Sequence, residues 1–225
     1  MIYLCGDVHG SLDIKKIEQW EEKMHPTLDD YLIILGDWGA VWYGNWWDEP
    51  MIDYWDNKPY NVCFLDGNHE NHKALEKFPI CHWNGGRVHL IGNSIVHLMR
   101  GEIYTIDNKT FFIMGGGRSV DAYLRKEGKT WWSQEMPSKC EYDYALDNLS
   151  KVNFKVDYLL SHCTDSKTLE LINPYFEKDE LTQFLHMLKV GYELDYKHHY
   201  FGHYHIDEQL SDKETCLYDV VVSLT

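Results

Sequence analysis

Short apolar runs recur along this chain. Each is followed within a few residues by a side chain that carries a carboxylate, an amide or an imidazole. The first run covers residues 2–5 and is followed by Gly6, Asp7, Val8 and His9. An apolar run bounded by glycine is typical of a buried strand that leads into a tight loop. Because residues two apart in extended backbone face the same side, Asp7 and His9 are expected to point to one place beyond the strand. That edge of an open α/β sheet is where sites form.

The same arrangement returns further along the chain, where apolar runs at residues 31–35, 60–65, 156–160 and 197–201 also stop just before polar side chains. Taken alone, each of these polar residues could have a purely structural role, such as an Asx turn at Asp37. All of them follow apolar runs, however, and the carboxyl ends of parallel strands meet at one edge of a sheet. We therefore expect one cluster, composed of Asp7, His9, Asp37, Asn68, His69, His162, His203 and His205.

These side chains indicate a divalent metal centre. Carboxylate, imidazole and amide donors suit borderline or hard ions; manganese is the first expectation, with iron, zinc and nickel as alternatives. The set is larger than one four-coordinate zinc ion requires, and it fits two adjacent ions if one carboxylate bridges them. Cysteine is not among the donors, because Cys163 directly follows His162 and should face the opposite way.

Charge and composition exclude some classes of binding partner. Lys and Arg total 21 against 36 Asp and Glu, a formal net charge of −15, and no basic cluster is visible. Proteins that bind long nucleic acid usually carry a basic face, so long DNA or RNA is not expected as a partner. No apolar stretch is long enough to span a bilayer, and no signal peptide pattern opens the chain. Together with six scattered cysteines, these features predict a cytoplasmic protein.

The order of the elements favours an α/β fold in one domain over residues 1–225. Strands and helices alternate in the first part of the chain, which is typical of a βαβαβ half with a mainly parallel sheet. Ser11, Ser138 and Asp179 are candidate helix caps. Besides the strands above, the sequence predicts helices at residues 11–24, 48–57, 138–149 and 179–190, short strands at 88–91, 95–99, 102–106 and 110–114, a long loop at 118–137 and a closing strand at 216–222.

An ordered set of short motifs spans most of the chain. The motifs are Gly6-Asp7-Val8-His9-Gly10, Gly36-Asp37, Gly67-Asn68-His69-Glu70, Ser161-His162 and Gly202-His203-Tyr204-His205. Together they resemble the motif set of the calcineurin-like metallophosphoesterases, over residues 5–205. The stretches at 83–89 and 99–102 are similar to those of a bacterial or phage-type branch. The resemblance implies a four-layer α/β/β/α sandwich with mixed sheets and a dinuclear metal site at the strand ends.

The resemblance also implies a role for each residue of the cluster. One metal would be held by Asp7, His9, Asp37 and His205, and the second by Asn68, His162 and His203, with Asp37 bridging the two. His69 matches the family's catalytic histidine, which is not a metal ligand.

One branch of the family is not expected here. Ser/Thr protein phosphatases share the first and third motifs, but they follow the bridging aspartate with an Asp-Arg pair, where this chain has Gly39-Ala40. They also lack a Gly-His-x-His ending. Protein phosphatase activity is therefore not expected.

The chemistry expected of such a centre is hydrolysis of phosphate esters. Two divalent ions acidify a bridging water, which as water or hydroxide is the nucleophile. They also hold the phosphate in place. His69 would then act as general acid toward the leaving oxygen, with Glu70 or Asp66 orienting its ring. Arg100 is a candidate phosphate contact, but a structural salt bridge is the preferred interpretation of this side chain.

The substrate remains open at this point. A small phosphorylated compound is expected, with nucleotides among the candidates, and monoesterase and diesterase activity are both open. The alternatives are a phosphodiesterase or nuclease acting on nucleotides or DNA ends, and a catalytically silent scaffold of the same fold. The tryptophan pairs at 46–47 and 131–132 either line a stacking cleft or pack in the core or at its rim.

Overall fold

Two mixed β-sheets form the centre of the structure, a computed structural model that describes residues 1–224. Their strands are β1 (Ile2–Cys5), β2 (Tyr31–Leu35), β3 (Asn61–Leu65), β4 (Ile80–Trp83), β5 (Gly86–Ile91), β6 (Ile95–Leu98), β7 (Ile103–Ile106), β8 (Lys109–Met114), β9 (Tyr158–Ser161), β10 (His198–Phe201), β11 (Glu208–Ser211), β12 (Glu214–Cys216) and β13 (Val222–Leu224). The α-helices are α1 (Lys15–Met24), α2 (Glu49–Asp56), α3 (His72–Leu75), α4 (Lys139–Lys151), α5 (Ser166–Ile172) and α6 (Glu180–Val190).

Each sheet has a parallel centre. The seven-stranded sheet has the order β13-β1-β2-β3-β6-β5-β4, and β1, β2, β3 and β6 pair in parallel. The six-stranded sheet has the order β11-β12-β10-β9-β8-β7, and β8, β9, β10 and β12 pair in parallel. The loops that leave the parallel strands at their carboxyl ends therefore gather on one edge of each sheet.

The apolar side chains fall into separate cores, which define four layers. Along β2, Ile33 and Leu35 pack into the core between the sheets, whereas Leu32 and Ile34 pack into the core on the outer face. This alternation follows from the two-residue repeat of a strand. Helices α1 and α2 cover the first sheet, and α4 and α6 cover the second. The expected four-layer α/β/β/α sandwich is therefore confirmed.

The predicted caps had different outcomes. Ser138 and Asp179 cap α4 and α6, and Ser138 forms a capping box with Glu141. Ser11 caps no helix, because α1 begins only at Lys15. The preceding residues form a turn instead, in which the Asp13 backbone N–H donates to the Val8 carbonyl at 3.0 Å.

The closing strand was predicted wrongly. Of residues 216–222, only Cys216 and Val222 lie in strands, at the end of β12 and the start of β13, and these strands belong to different sheets. The Asp207 carboxylate causes the break, since it accepts hydrogen bonds from the backbone N–H groups of Tyr218, Asp219 and Val220 at 2.7, 3.0 and 3.2 Å. The sequence prediction also missed α3, β4, α5 and β11.

Helix length gives one further observation. The longest helix of residues 1–224, α4, has 13 residues. None of the helices in this part of the chain combines the length and the apolar character needed to cross a membrane.

Candidate metal centre

The predicted donors meet at one place, where loops from both sheets come together. Asp7, His9 and His205 present ligand atoms within 4.8 Å of one another, and so do Asp7, Asp37 and His162. Asp7 belongs to both groups, which makes them neighbouring parts of one cluster. The loops that carry these residues follow β1, β2, β9 and β10.

Two of the histidines are anchored through Nδ1 and turn Nε2 toward the cluster. His9 Nδ1 lies 2.7 Å from the Asp13 carboxylate, and His162 Nδ1 lies 2.8 Å from the Leu35 carbonyl. An Nδ1–H that donates to such an acceptor leaves the lone pair on Nε2, and this support is typical of metal-binding histidines. Asp13 was not singled out in the sequence; its four-residue separation from His9 was the available signal.

Asp37 stands between two sets of donors. Its Oδ2 lies 3.4 Å from His9 Nε2, and its Oδ1 lies 3.4 Å from His162 Nε2. On the His9 side, His205 Nε2 is 3.0 Å from Asp7 Oδ2. On the other side, Asn68 Oδ1 and His203 Nδ1 each lie 3.1 Å from His162 Nε2. One carboxylate thus faces a different donor set with each of its oxygens.

The electrostatics of the cluster fit a bound cation. Burial alone would raise the pKa of the Asp37 carboxyl, but His162 and His9 hold it well below its usual range. Burial opposes charge on His162 as well, yet Asp37 and Asp7 raise its pKa to about 10. Buried carboxylates in this arrangement require nearby positive charge.

An unpaired oxygen gives a second test of the fit. Asp7 Oδ2 is buried and has no hydrogen-bond partner among the described residues, although His205 lies near it. A buried carboxylate oxygen without a hydrogen bond carries a large cost in free energy. The unpaired oxygen and the set of carboxylate, imidazole and amide donors both fit divalent metal.

The backbone at the cluster is strained. His9, Asp37, His203 and His205 have φ values of 50°, 50°, 70° and 52°. Residues with a side chain adopt such angles rarely, at about 1–3 kcal/mol each, and they concentrate at functional sites. Gly67 is required beside them, because a Cβ there would overlap the Asp37 carboxylate.

His69 lies at the edge of the cluster. Its backbone N–H donates to Asp37 Oδ1 at 2.6 Å, and its ring packs edge-on against that of His9. Its Nε2 faces the Arg125 guanidinium at 3.3 Å. Burial, with smaller contributions that include Arg125, lowers the pKa of His69.

The sequence predicted the wrong partners for the His69 ring. Glu70 accepts hydrogen bonds from the backbone N–H groups of Gly39 and Gly67 at 3.1 and 2.8 Å, and Asp66 pairs with Arg100. The side chain that faces the ring nitrogen, Arg125, lies in the long loop after β8, where no motif marked it.

Arg100 does not reach into the cluster. Its guanidinium is buried and donates to the Asp66 carboxylate from Nε at 2.8 Å and from a terminal nitrogen at 2.5 Å. It also donates to the carbonyls of Gln134 and Glu135. These bonds occupy the guanidinium in a buried salt bridge, which confirms the preferred structural interpretation and corrects the candidate phosphate contact.

Removing this arginine is therefore expected to lower stability rather than substrate affinity. Arg100→Ala would leave the buried Asp66 carboxylate with its His97 contact at 3.3 Å but without the arginine, and breaking a buried ion pair costs about 3–5 kcal/mol in the free energy of unfolding. Urea unfolding measures this loss. The control is Arg118→Ala, whose exposed pair with Glu177 is worth less than about 1 kcal/mol. A raised KM with unchanged stability in Arg100→Ala would contradict the assignment.

A further group of possible ligands already contains a cation. Asp165, His199 and Glu214 are buried within ligand distance of one another. The Lys189 ammonium lies among them, 2.6 Å from Asp165 and 3.0 Å from His199 Nδ1, and it also contacts Glu214. On its other side His199 bonds the Ser161 hydroxyl at 2.6 Å. This group is an ion-pair network that connects β9 and β10 to α6 and β12.

Fold and site together define a class of protein. Two mixed sheets between helical layers, with aspartate and histidine clusters at one edge, form a metallo-dependent phosphatase fold. The sequence profile of one family, the calcineurin-like phosphoesterases, matches residues 1–207, and the chain belongs to that family. A comparison with curated proteins gives no match.

Proposed function

We propose that this protein is a metal-dependent hydrolase of phosphate esters whose two metal ions share Asp37. The observation that carries the proposal is the position of Asp37, which turns one carboxylate oxygen toward His9 and the other toward His162. Membership of the calcineurin-like phosphoesterases supports the reaction class. In this proposal the first ion binds Asp7, His9, Asp37 and His205, and the second binds Asp37, Asn68, His162 and His203.

The metal ions would supply two effects when bound, acidification of a water molecule and neutralisation of phosphoryl charge. Manganese is the ion that we propose first, with iron, zinc and nickel as alternatives that the same donors accept. The chain's own contribution is to keep the donors in place. His9 and His162 are fixed by Asp13 and by the Leu35 carbonyl, so their Nε2 atoms are presented without rearrangement.

His69 is proposed as the general acid for the leaving oxygen. Its backbone is tied to Asp37, which sets its distance from the metal donors, and its ring lies on the accessible side of the cluster. Arg125 lies next to the ring, where its positive charge would attract a phosphoryl oxygen. Phosphate bound there would draw the guanidinium away from His69 and leave the ring next to the ester.

The substrate that we propose is a small phosphorylated compound, and both monoesters and diesters remain candidates. A phosphodiesterase or nuclease acting on nucleotides is the second candidate function, which is favoured by aromatic side chains next to His69. A silent scaffold is the less favoured alternative, because the chain retains every donor of the cluster together with His69.

The test compares wild-type protein with His69→Ala on p-nitrophenyl monoesters and diesters in the presence of Mn²⁺. Wild type is expected to hydrolyse at least one class, and the variant to lose about 10²–10⁴-fold in kcat, the usual contribution of a general acid. Metal content, measured by elemental analysis, should not change.

His82→Ala is the matched control, since His82 is exposed on the edge strand β4. It should keep wild-type kcat. Loss of metal from His69→Ala would show that His69 is a ligand and contradict its role as an acid. A wild-type protein that hydrolyses neither class with Mn²⁺, Zn²⁺, Fe²⁺ or Ni²⁺ would contradict the function itself.

A further inference from the structure

An aromatic pocket adjoins the candidate metal centre. It has a volume of about 450 Å³, and His9 and His69 form part of its wall. Trp42, Tyr43 and Trp47 line it as well. Pockets of about 300–1,000 Å³ accept small organic ligands. The cavity is therefore large enough for a substrate group, and it shares His9 and His69 with the candidate metal centre.

The aromatic residues of the pocket sit on a firmly anchored loop. The buried Asp48 carboxylate accepts hydrogen bonds from the backbone N–H groups of Trp42, Tyr43 and Gly44 at 3.2, 2.9 and 2.6 Å. The Asn71 amide donates to the Trp42 carbonyl at 2.9 Å. Because the Asp48 oxygens are occupied by these bonds, the pocket wall presents rings rather than a free carboxylate.

The rings are exposed where core packing would have buried them. Tyr43 and Trp47 are 63% and 61% exposed. Trp47 stacks on Trp46, which is exposed too, whereas Trp132 is buried and supports Trp42 edge-on. Of the two tryptophan pairs in the sequence, the first therefore lies at the rim of an open cleft. Large exposed aromatic groups beside a site are typical of ligand contacts.

The position of His69 indicates which part of the substrate enters the pocket. Trp42 lies nearly parallel to the His69 ring, with a centroid distance of 6.1 Å. In the proposed function His69 protonates the leaving oxygen, so the group attached to that oxygen extends along the His69 side of the centre. The aromatic pocket is on that side.

We infer that the pocket holds the base of a nucleoside whose phosphate ester is the substrate. This inference rests on the proposed function, since it identifies the leaving group by its distance from the general acid. Tryptophan and tyrosine rings bind nucleobases by stacking, and the energy depends little on which base is present. The overall charge of −15 does not oppose this assignment, because a mononucleotide brings few phosphates.

The test measures binding rather than turnover. Isothermal titration of the Mn²⁺-loaded protein uses a nucleoside 5′-phosphonate, in which CH₂ replaces the ester oxygen, and the same compound without its base. The base is expected to increase affinity by about 5- to 100-fold. In Trp47→Ala this gain should fall below about 3-fold.

Tyr175→Ala is the control, because Tyr175 is 93% exposed and does not line the pocket. It should keep the full gain. Equal affinity with and without the base in wild type, or an undiminished gain in Trp47→Ala, would overturn the inference. A benzyl phosphonate that binds as tightly as the nucleoside compound would overturn the assignment to nucleosides.

The two proposals fail in different ways. A protein that binds the base through Trp47 but hydrolyses no ester contradicts the proposed function and supports the pocket. A protein that hydrolyses esters but gains nothing from the base contradicts the pocket alone.

Discussion

Removing divalent metal from the protein is expected to abolish phosphoester hydrolysis, and adding Mn²⁺ is expected to restore it. Asp7 and Asp37 are buried at the cluster centre, and their negative charge raises the pKa of His162 to about 10, so this position strongly favours a bound cation. Dialysis against a chelator, followed by a hydrolysis assay with and without Mn²⁺, makes the measurement.

Thermal unfolding provides a second reading of the same experiment. A metal that binds only the folded protein stabilises it by about 2.7 kcal/mol at a free concentration of 100 times Kd, so the Tm should rise as Mn²⁺ is added. Mg²⁺-free buffer with the chelator alone is the control. Full activity after complete removal of metal would end the proposed mechanism.

Asp37→Asn is expected to reduce activity by more than about 100-fold and to weaken both metal sites together. Residues that merely orient a metal ligand contribute about 10–100-fold, and Asp37 is placed to bind directly. Asparagine keeps the shape and can still accept the hydrogen bond from the His69 backbone N–H, but it lacks the charge. Elemental analysis and activity at several Mn²⁺ concentrations test both expectations.

Asp212→Asn is the matched control for this substitution, since Asp212 is exposed in the turn between β11 and β12. It should keep activity and metal content. One site filled fully and the other empty in Asp37→Asn would contradict the shared carboxylate.

The sequence was sufficient for the fold because its strongest patterns are periodic. β2 and β3 are nearly continuous apolar runs, and the caps at Ser138 and Asp179 follow local hydrogen-bonding rules. The elements that were missed or misplaced depend on long-range contacts. Asp207, for example, ends a strand through backbone groups more than ten residues away, and no local pattern encodes such a contact.

The residues of the candidate site also divide into those that local sequence patterns indicate and those that depend on long-range contacts. The donors follow strand ends, so their convergence could be expected from topology alone. Arg125 could not, because a loop with no regular pattern brings it to His69 across 56 residues. Arg100 lies next to a recognisable stretch, but its partner Asp66 is 34 residues away and is identified only by packing.

Lys189 has a consequence for how metal is acquired. Its ammonium pairs with the carboxylates of Asp165 and Glu214 next to β9 and β10, the strands that lead to His162 and His203. This part of the fold is therefore stabilised by the Lys189 side chain rather than by a metal ion from solution. We therefore expect metal ions to bind a site that is already folded. In small zinc domains, by contrast, metal binding is coupled to folding.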